Sequence, residues 1–250
     1  MAKIVLVTGA TSGFGEATAE KFAKAGYKVI ITGRRRERLE AFKARFPECD
    51  IFPLCFDVSK KDEVFSALSS LPEAYKNIDI LVNNAGLALG LGRANDASLD
   101  DWETMVDTNI KGLLYVTKAV LPTMVERKTG YIFNLGSIAG NWPYEGGNVY
   151  GATKAFVRQF SLNLRTDLRG TNIRVTNIEP GFAETEFSEV RFKGDKEQAK
   201  KIYENTKSLD KEDIAQTIFS LAELPQHVNV NTIEIMPTMQ SCGGLFLERH

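Results

Sequence analysis

The sequence predicts an α/β fold in which helices cover both faces of one parallel sheet. Short apolar runs rich in β-branched residues alternate with longer amphipathic stretches about six times along the 250 residues. The apolar runs are continuous, which is typical of strands buried on both faces. A glycine-rich loop joins the first apolar run to the first amphipathic stretch. Together these observations predict a Rossmann-like, doubly wound parallel sheet of about seven strands.

The individual elements follow from the apolar pattern. Strands are predicted at residues 4–7, 29–32, 51–56, 78–82, 131–135, 173–178 and 232–235. Helices are predicted at the amphipathic stretches 15–25, 36–46, 61–71, 99–127, 149–168 and 211–224. No Pro- or Ser-rich linker divides the pattern, so we expect residues 1–250 to form a single domain. Residues 181–210 are polar and lack a predicted strand, and we expect them to form a mobile helical lid.

Composition excludes several classes of function. Hydrophobic residues make up 43% and charged residues 25% of the chain, as in a soluble globular protein. The net charge of -1 gives no reason to expect binding to nucleic acid or to anionic membranes. No apolar run approaches the roughly 18 residues of a membrane span. The apolar start is too short for a signal peptide and runs into the glycine loop, so we expect a cytoplasmic protein.

Cysteine and histidine usage argues against a metal site. Cys49, Cys55 and Cys242 are an odd number without ligand spacing, which predicts free thiols in a reducing compartment. His227 and His250 lie far apart and have no acid-and-nucleophile pattern nearby, so we expect them at surface or terminal positions.

A tyrosine and a lysine provide the first indication of chemistry. Tyr150 and Lys154 are four residues apart in a predicted helix, so their side chains share one face. The pKa of a phenol is about 10, and a neighbouring cation lowers it. If Ser137 holds a substrate oxygen, Tyr150 can exchange a proton with that oxygen, which suits the interconversion of an alcohol and a carbonyl. Taken alone, however, the pair is more often a solvated surface pair.

The glycine loop predicts a phosphate site. Its spacing is Gly-x-x-x-Gly-x-Gly, in a strand–loop–helix context. Gly9 allows a tight turn, Gly13 lets the backbone approach a pyrophosphate, and Gly15 lets the helix pack closely on the strand. The helix N-terminus offers free N–H groups to the phosphates. The residues expected to contact a dinucleotide here are Gly9, Ala10, Thr11, Ser12, Gly13, Phe14 and Gly15.

The end of the second strand predicts which dinucleotide binds. An NAD-selective site carries an acid there, but residues 32–35 read Thr-Gly-Arg-Arg. Arg34 or Arg35 can pair with a 2′-phosphate through charge-assisted bonds, so we predict NADP. The alternative is that both arginines merely begin an exposed helix. Asp57 and Val58 are placed to contact the adenine, although Asp57 could equally cap a helix.

These motifs together resemble the short-chain dehydrogenase/reductase family over essentially the whole chain. Further matches are the Asn-Asn-Ala-Gly segment at 83–86, Asn109 in the long predicted helix, and Pro180-Gly181. The resemblance implies a catalytic tetrad and a set of further cofactor contacts. The implied tetrad is Asn109, Ser137, Tyr150 and Lys154. The further cofactor contacts are Asn84, Ala85, Gly86, Tyr150, Lys154, Pro180, Gly181, Phe182, Ala183 and Thr185.

The same resemblance implies a role for each tetrad residue. Tyr150 exchanges the proton with the substrate oxygen while hydride moves between substrate carbon and nicotinamide. Lys154 lowers the pKa of the phenol and binds the nicotinamide ribose. Ser137 orients the oxygen, and Asn109 holds a water that links the lysine to solvent.

A narrower similarity, to the 3-hydroxy acid dehydrogenases of this family, is carried by segments 87–90, 101–105, 142–160, 190–194 and 231–241. This subgroup includes NADP-dependent serine and L-allo-threonine dehydrogenases that also reduce malonic semialdehyde. The similarity implies small 3-hydroxy acid substrates, among them 3-hydroxypropanoate and 3-hydroxybutanoate, and a homotetramer.

A hydroxy-acid substrate needs a partner for its carboxylate. Arg191 in the expected lid is the candidate and Lys193 a weaker one, unless both are ordinary surface charges. Trp142 and Tyr144 are predicted to wall the pocket, with interface or core positions as the alternative. Glu179 could meet a substrate amino group, but a loop salt bridge is the favoured interpretation.

Two other functions stay open at this point. A carbonyl reductase for another substrate, such as 3-oxoacyl thioesters, sugars or steroids, would use the same tetrad without a lid cation. An NADP-sensing regulator would bind the cofactor without turnover, but it would have no use for Tyr150 and Lys154 together.

Overall fold

Seven parallel strands form one sheet in the computed structural model, which describes residues 2–242. They are β1 (Ile4–Val7), β2 (Lys28–Gly33), β3 (Ile51–Cys55), β4 (Ile80–Asn83), β5 (Gly130–Leu135), β6 (Ile173–Pro180) and β7 (Thr232–Ile235). Their order in the sheet is β3-β2-β1-β4-β5-β6-β7. The predicted doubly wound α/β fold is therefore confirmed, and each predicted strand lies within two residues of its predicted bounds.

The strand order places a crevice at one edge of the sheet. From β1 the chain winds outward to β2 and β3, and then returns to the other side of β1 at β4. The loops that leave the carboxyl ends of β1 and β4 therefore run in opposite directions. Ligands of open parallel sheets bind in the crevice between two such loops.

Helices cover both faces of the sheet. They are α1 (Gly13–Lys24), α2 (Arg36–Arg45), α3 (Lys61–Ser69), α4 (Leu99–Val106), α5 (Leu113–Arg127), α6 (Asn148–Asp167), α7 (Phe187–Arg191), α8 (Lys196–Lys201) and α9 (Lys211–Ala222). Local signals set some of their ends. The α9 helix begins at a capping box, in which the Asp210 side chain accepts from the Asp213 backbone N–H and the reverse bond is also made.

The predicted long helix at 99–127 is interrupted. Asp107–Gly112 forms a π-helical turn between α4 and α5, which the apolar pattern does not reveal. Within this turn the buried side chain of Asn109 bonds to the backbone of Leu87 and to Thr153 on α6. Tertiary hydrogen bonds therefore accompany the local change in helix geometry, and such turns are frequent at functional sites.

Two apolar clusters, one on each face, hold the helices to the sheet. Alternate residues of β1 point to opposite clusters: Val5 and Val7 join one, while Ile4 and Leu6 join the other. The first cluster packs beneath α1, α2 and α9, and the second beneath α3, α5 and α6. Each such buried aliphatic side chain contributes about 1.5–3 kcal/mol relative to an exposed one. The continuous apolar runs of the strands are thus explained by burial on both faces.

Residues 181–210 contain the short helices α7 and α8 joined by turns, so the predicted helical character is present. The segment is anchored at its base by a bridge between Ala183 and Leu209. Its mobility stays a prediction.

The remaining expectations concern the cysteines, the histidines, metal sites and membrane-spanning helices. Cys49, Cys55 and Cys242 are free thiols, and His227 is exposed, whereas His250 lies outside the described residues. Between residues 2 and 242 no group of three or more His, Cys, Asp or Glu side chains has the arrangement of a metal site. In the same part of the chain, every helix is too short or too polar to cross a bilayer.

Candidate active site

Helix α6 carries Tyr150 and Lys154 into the crevice on one face, as their spacing predicts. Tyr150 is 8% and Lys154 is 6% exposed, and both line the crevice. Lys154 Nζ lies 5.8 Å from the centroid of the Tyr150 ring and donates to the carbonyl oxygen of Leu135 at 2.7 Å. The pair is therefore a buried arrangement and not a solvated surface pair.

Burial shapes the acidity of both groups. It raises the pKa of Tyr150 to about 12, while the Arg191 guanidinium and the Ser137 side chain oppose this shift. Burial also lowers the pKa of Lys154 to about 8. The sequence did not indicate that Arg191 lowers the pKa of the phenol, and the effect of Lys154 on that pKa stays a prediction. Arg191 comes from α7, and a four-residue spacing cannot reveal a cation that arrives from the lid.

The burial of Lys154 predicts a stability effect. An unfolded lysine has a pKa of 10.5, so between about pH 8 and 10.5 the unfolded chain binds more protons than the folded chain. The folded state therefore carries the full cost of the buried ammonium below pH 8, and it loses that cost as the pH rises. We expect Lys154→Met to stabilise the fold by about 2–3 kcal/mol at pH 7, with the gain vanishing near pH 10.5.

Urea unfolding at pH 7 and pH 10 measures this difference. Lys118→Met is the matched control, because Lys118 is an exposed lysine on α5. An Lys154→Met variant that behaves as this control at both pH values would contradict the prediction.

Ser137 lies in a loop that is pressed against α6. Its Oγ accepts from the backbone N–H of Ala139 at 3.1 Å, which starts the 3₁₀ turn Ile138–Gly140. A Cβ on Gly140 would lie 2.8 Å from the carbonyl carbon of Lys154, so glycine lets the loop pack directly on the helix. This packing brings the Ser137 hydroxyl into the crevice beside Tyr150.

Asn109 ties three parts of the site together. Its amide oxygen accepts from Leu87 N–H at 2.8 Å, and its amide nitrogen donates to the Leu87 oxygen at 2.8 Å and to Thr153 Oγ1 at 3.0 Å. A Cβ on Gly86 would lie 3.2 Å from Asn109 Oδ1 and 3.5 Å from Lys154 Nζ. The four predicted tetrad residues are thus brought to one place, with Asn109 behind the lysine.

The glycine loop is tightly packed at the end of β1. Gly9 adopts φ +66° and Gly13 adopts φ +55°, both in the left-handed region that favours glycine. A Cβ on Gly15 would lie 2.3 Å from the Gly9 carbonyl oxygen, so only glycine permits this contact. Asn84 reinforces the turn, because its amide nitrogen donates to Thr8 and Gly9 carbonyl oxygens.

Most of the predicted cofactor residues line the crevice. They are Gly9, Thr11, Ser12, Gly13, Phe14, Arg34, Arg35, Asp57, Val58, Asn84, Ala85, Gly86, Tyr150, Lys154, Pro180, Gly181, Ala183 and Thr185.

The other three lie elsewhere. Ala10 is fully buried and its N–H donates to Thr32, while Gly15 is buried beneath the turn. The Phe182 N–H donates to Gln240, and its ring packs on Tyr203. Ala10 and Gly15 therefore pack within the glycine turn, and Phe182 packs at the base of the lid.

The arginines after β2 reach across the crevice. Arg35 Nη2 donates to Thr11 Oγ1 at 2.7 Å and to Ser12 Oγ at 3.4 Å, so it lies against the glycine loop. Arg34 is more exposed and pairs with Asp57 at 3.7 Å. Arg38, in the first turn of α2, was not predicted, yet it follows the N-cap residue Arg35 by three positions and donates to Thr11 O at 3.4 Å. Its three-residue spacing from Arg35 is a signal that could have found it.

The lid contacts this arginine group. Glu186 accepts from Arg38 at 3.0 Å and lies 3.8 Å from Arg35. Glu186 lines the crevice and was not predicted. It lies far from both arginines in sequence, so no local pattern could have indicated the pair.

Arg191 of α7 lies over the predicted catalytic tyrosine. Its guanidinium is 5.1 Å from the Tyr150 ring centroid, 5.4 Å from that of Phe187 and 5.7 Å from that of Tyr144. Nη2 donates to the Tyr144 hydroxyl at 2.6 Å. The buried Nε has no acceptor among residues 2–242. Arg191, Tyr144 and Tyr150 are therefore neighbours, whereas Lys193 pairs with Asp101 at 2.8 Å and is 61% exposed.

Neither of the two aromatic side chains that were predicted to wall the pocket, Trp142 and Tyr144, is among the residues that line the crevice. Trp142 does not wall the crevice, because its indole N–H donates to Glu234 at 3.1 Å. Trp102, from α4, instead packs with Leu87 and Tyr150 in the apolar cluster beside the site. Trp102 therefore supports Tyr150 from the side and does not itself line the crevice.

Glu179 has the structural role that the sequence favoured. It is 2% exposed, accepts from Asn141 at 2.7 Å and from Asn177 at 2.6 Å, and pairs with Arg158 at 3.3 Å. Burial raises the pKa of this carboxyl, and its hydrogen bonds oppose the shift.

Comparisons with known proteins agree with this geometry. The sequence model of the short chain dehydrogenase family matches residues 3–196. The chain is 60% identical over 247 residues to the NADP-dependent 3-hydroxy acid dehydrogenase YdfG of Salmonella typhi, which covers 98% of this chain and 99% of the relative. It is 51% identical over 249 residues to the serine 3-dehydrogenase of Agrobacterium fabrum, covering 100% and 99% respectively.

A solved structure is also very similar. The closed form of a serine dehydrogenase complexed with NADP+ has a TM-score of 0.95 to this chain at 58% identity. The match covers 99% of this chain and 100% of the other.

Proposed function

Because this chain belongs to the short-chain dehydrogenase family, we propose that it is an NADP-dependent oxidoreductase of small 3-hydroxy acids. It oxidises the 3-hydroxyl of acids such as L-serine, L-allo-threonine, 3-hydroxypropanoate and 3-hydroxybutanoate, or reduces 3-oxo acids such as malonic semialdehyde. The names of its relatives support this substrate class. The observation that carries it in the structure is the buried Arg191 Nε without an acceptor above Tyr150.

The residues of the crevice fit NADP. The loop from Gly9 to Gly13 presents backbone to the crevice at the N-terminus of α1, where free N–H groups bind phosphates. Arg35 stands beside this loop, with Arg38 behind it, as the guanidinium partner for a 2′-phosphate. Pro180 and Gly181 line the opposite end. When bound, NADP supplies the hydride acceptor or NADPH the hydride donor.

Tyr150 moves the proton. In the oxidative direction its Oη accepts the proton of the substrate hydroxyl, and in reduction it returns one to the carbonyl oxygen. The Ser137 hydroxyl, beside Tyr150 in the crevice, orients the same oxygen and stabilises the charge that develops on it. Because burial disfavours the phenolate, the cation that lies over the ring is part of this chemistry.

Lys154 and Asn109 support the tyrosine from behind. Lys154 Nζ lies near Gly86 at the floor of the crevice, where it can bind the cofactor ribose. Asn109 holds the Leu87 loop to α6 through Thr153, and so it keeps the lysine in position. The family resemblance further supports a water beside Asn109 that would connect Lys154 to solvent.

Arg191 binds the substrate carboxylate. A buried donor without a partner costs about 1–3 kcal/mol, and a carboxylate is the acceptor that a guanidinium matches best. The carboxylate reaches the buried Nε only when residues 181–210 move aside, so we propose that this segment acts as a mobile lid.

A matched pair of substrates tests this function. Acetoacetate and its methyl ester share the reacting ketone and differ in the carboxylate charge. With NADPH as cofactor, we expect Arg191→Gln to lower kcat/KM for acetoacetate by about 100-fold, as for a lost charge-assisted pair. We expect a smaller loss for the ester, because the ester keeps only the part of the effect that comes from Arg191 lowering the pKa of Tyr150. Lys193→Gln is the matched control, because Lys193 is a lid cation paired with Asp101.

Turnover of L-serine and the other 3-hydroxy acids with NADP, followed as NADPH absorbance, completes the test. A wild-type enzyme that prefers the ester, or a neutral ketone, would reject the acid substrate class. It would instead support a general carbonyl reductase with the same tetrad.

We also propose a cytoplasmic homotetramer. The three free cysteines agree with a reducing compartment, and the tetramer rests on the family resemblance. Light scattering after size exclusion measures the assembly directly, and a monomer would reject this part of the proposal.

A further inference from the structure

We propose that Tyr144 is a positioning residue that holds Arg191 for the substrate carboxylate and thereby sets the preference for acids over neutral substrates. This inference rests on the proposed function, because it assumes that Arg191 binds the carboxylate.

The hydroxyl of Tyr144 makes the one hydrogen bond that is seen for the Arg191 side chain within residues 2–242. Arg191 Nη2 donates to Tyr144 Oη at 2.6 Å. The other neighbours of the guanidinium are the faces of Tyr150 and Phe187, which attract a cation without fixing its rotation. The hydroxyl therefore orients the planar guanidinium, and it leaves Nε available to a ligand.

No acidic side chain competes for this role in the described part of the chain. Three carboxylates around the site have their own cations: Asp101 pairs with Lys193, Glu145 with Arg93, and Glu186 with Arg38. Arg191 thus keeps its full charge for a ligand, and its position depends on a neutral partner. A neutral partner suits a specificity site, because an acidic one would neutralise the cation before the substrate arrives.

The fold holds Tyr144 firmly on the side opposite the lid. Its ring packs on Gly147, where a Cβ would lie 2.6 Å from the ring carbon Cε1. Gly146 adopts φ +76° and approaches the Leu91 carbonyl so closely that a Cβ would lie 2.3 Å from the oxygen. Tyr144 also joins the apolar cluster of Leu87, Met105 and Tyr150. Arg191 is carried by the lid, so the hydrogen bond joins a lid residue to a fixed point of the body.

Removal of the Tyr144 hydroxyl tests the inference. Tyr144→Phe keeps the ring and its packing. We expect kcat/KM for acetoacetate to fall about tenfold, mainly through KM, as for one lost hydrogen bond to a charged group. We expect methyl acetoacetate to change less than about twofold, because an ester has no charge for Arg191 to bind. The Kd of NADPH, measured by its fluorescence, should stay unchanged.

Two further variants separate this role from a general loosening of the lid. Tyr203→Phe removes a tyrosine hydroxyl that belongs to the lid segment itself and bonds to Ser188 and the Ala183 carbonyl. This variant should change kcat/KM for the acid and the ester equally. In the Arg191→Gln background, Tyr144→Phe should cause no further loss on acetoacetate, because the two residues act through one contact.

The outcomes are distinguishable. Equal losses on acid and ester in Tyr144→Phe, or additive effects of the two substitutions, would overturn the positioning role while Arg191 remained selective for acids. An Arg191→Gln variant without any selective loss on acetoacetate would overturn the proposed carboxylate site itself, and this inference with it.

Discussion

Tyr150→Phe should reduce turnover by about 1,000-fold or more while leaving cofactor affinity unchanged, as expected when a positioned proton donor is removed. The substitution deletes a single oxygen atom from a side chain that is 8% exposed. The ring still packs against Phe187 at 5.6 Å, so the fold and the walls of the crevice should persist. Ser137 can still orient the substrate oxygen, but an aliphatic hydroxyl is a much weaker acid than a phenol and cannot replace it as the proton donor.

The measurement is single-turnover reduction of acetoacetate by NADPH, combined with the Kd of NADPH from fluorescence. Tyr115→Phe is the matched control, because Tyr115 lies on α5 and packs in the second apolar cluster, away from the crevice. Residual turnover within tenfold of the wild type would show that another group moves the proton, and it would remove Tyr150 from the centre of the mechanism.

Arg35→Gln should raise the KM for NADP by about 100-fold and leave the KM for NAD nearly unchanged, because only NADP carries a phosphate for the guanidinium to bind. Arg35 is the arginine that Thr11 and Ser12 hold against the glycine loop. Burial lowers the pKa of this guanidinium, but it remains fully charged at neutral pH. A fixed cation loses less conformational entropy on binding than a free one.

Two neighbouring arginines make this prediction specific. Arg34 is 65% exposed and pairs with Asp57, so Arg34→Gln should have a smaller effect on the KM for NADP. Arg36 is an exposed residue at the start of α2, and Arg36→Gln should have almost none. Steady-state kinetics with both cofactors provide the comparison. If the three substitutions were equivalent, NADP selectivity would come from the general positive charge and not from a built site.

Much of the fold could be predicted from the sequence because its signals are local. Burial on both faces requires continuous apolar runs, which locate all seven strands, and the Asp210 capping box marks the start of α9. Two helical residues that are four positions apart always lie on the same face. The proximity of Tyr150 and Lys154 could therefore be predicted without knowing the rest of the fold.

The interruption of the helix at Asp107–Gly112 could not be predicted in the same way. The bonds of Asn109 to Leu87 and Thr153 join residues 22 and 44 positions apart. Apolar periodicity reports only which face of a helix is buried, so it does not register an extra residue within one turn.

The sequence by itself determined the strand and helix order and the glycine loop. It also predicted the tetrad, in part through the family resemblance, and the arginines that favour NADP. Only the tertiary structure decided what surrounds them. It turned Trp142 toward Glu234, paired Glu186 with Arg38, and placed Arg191 over Tyr150, where it lowers the pKa of the phenol. The physical reason is that hydrogen bonds and charges act through space. A helical spacing fixes neighbours on one element, whereas a lid residue meets its partners only after the chain has folded.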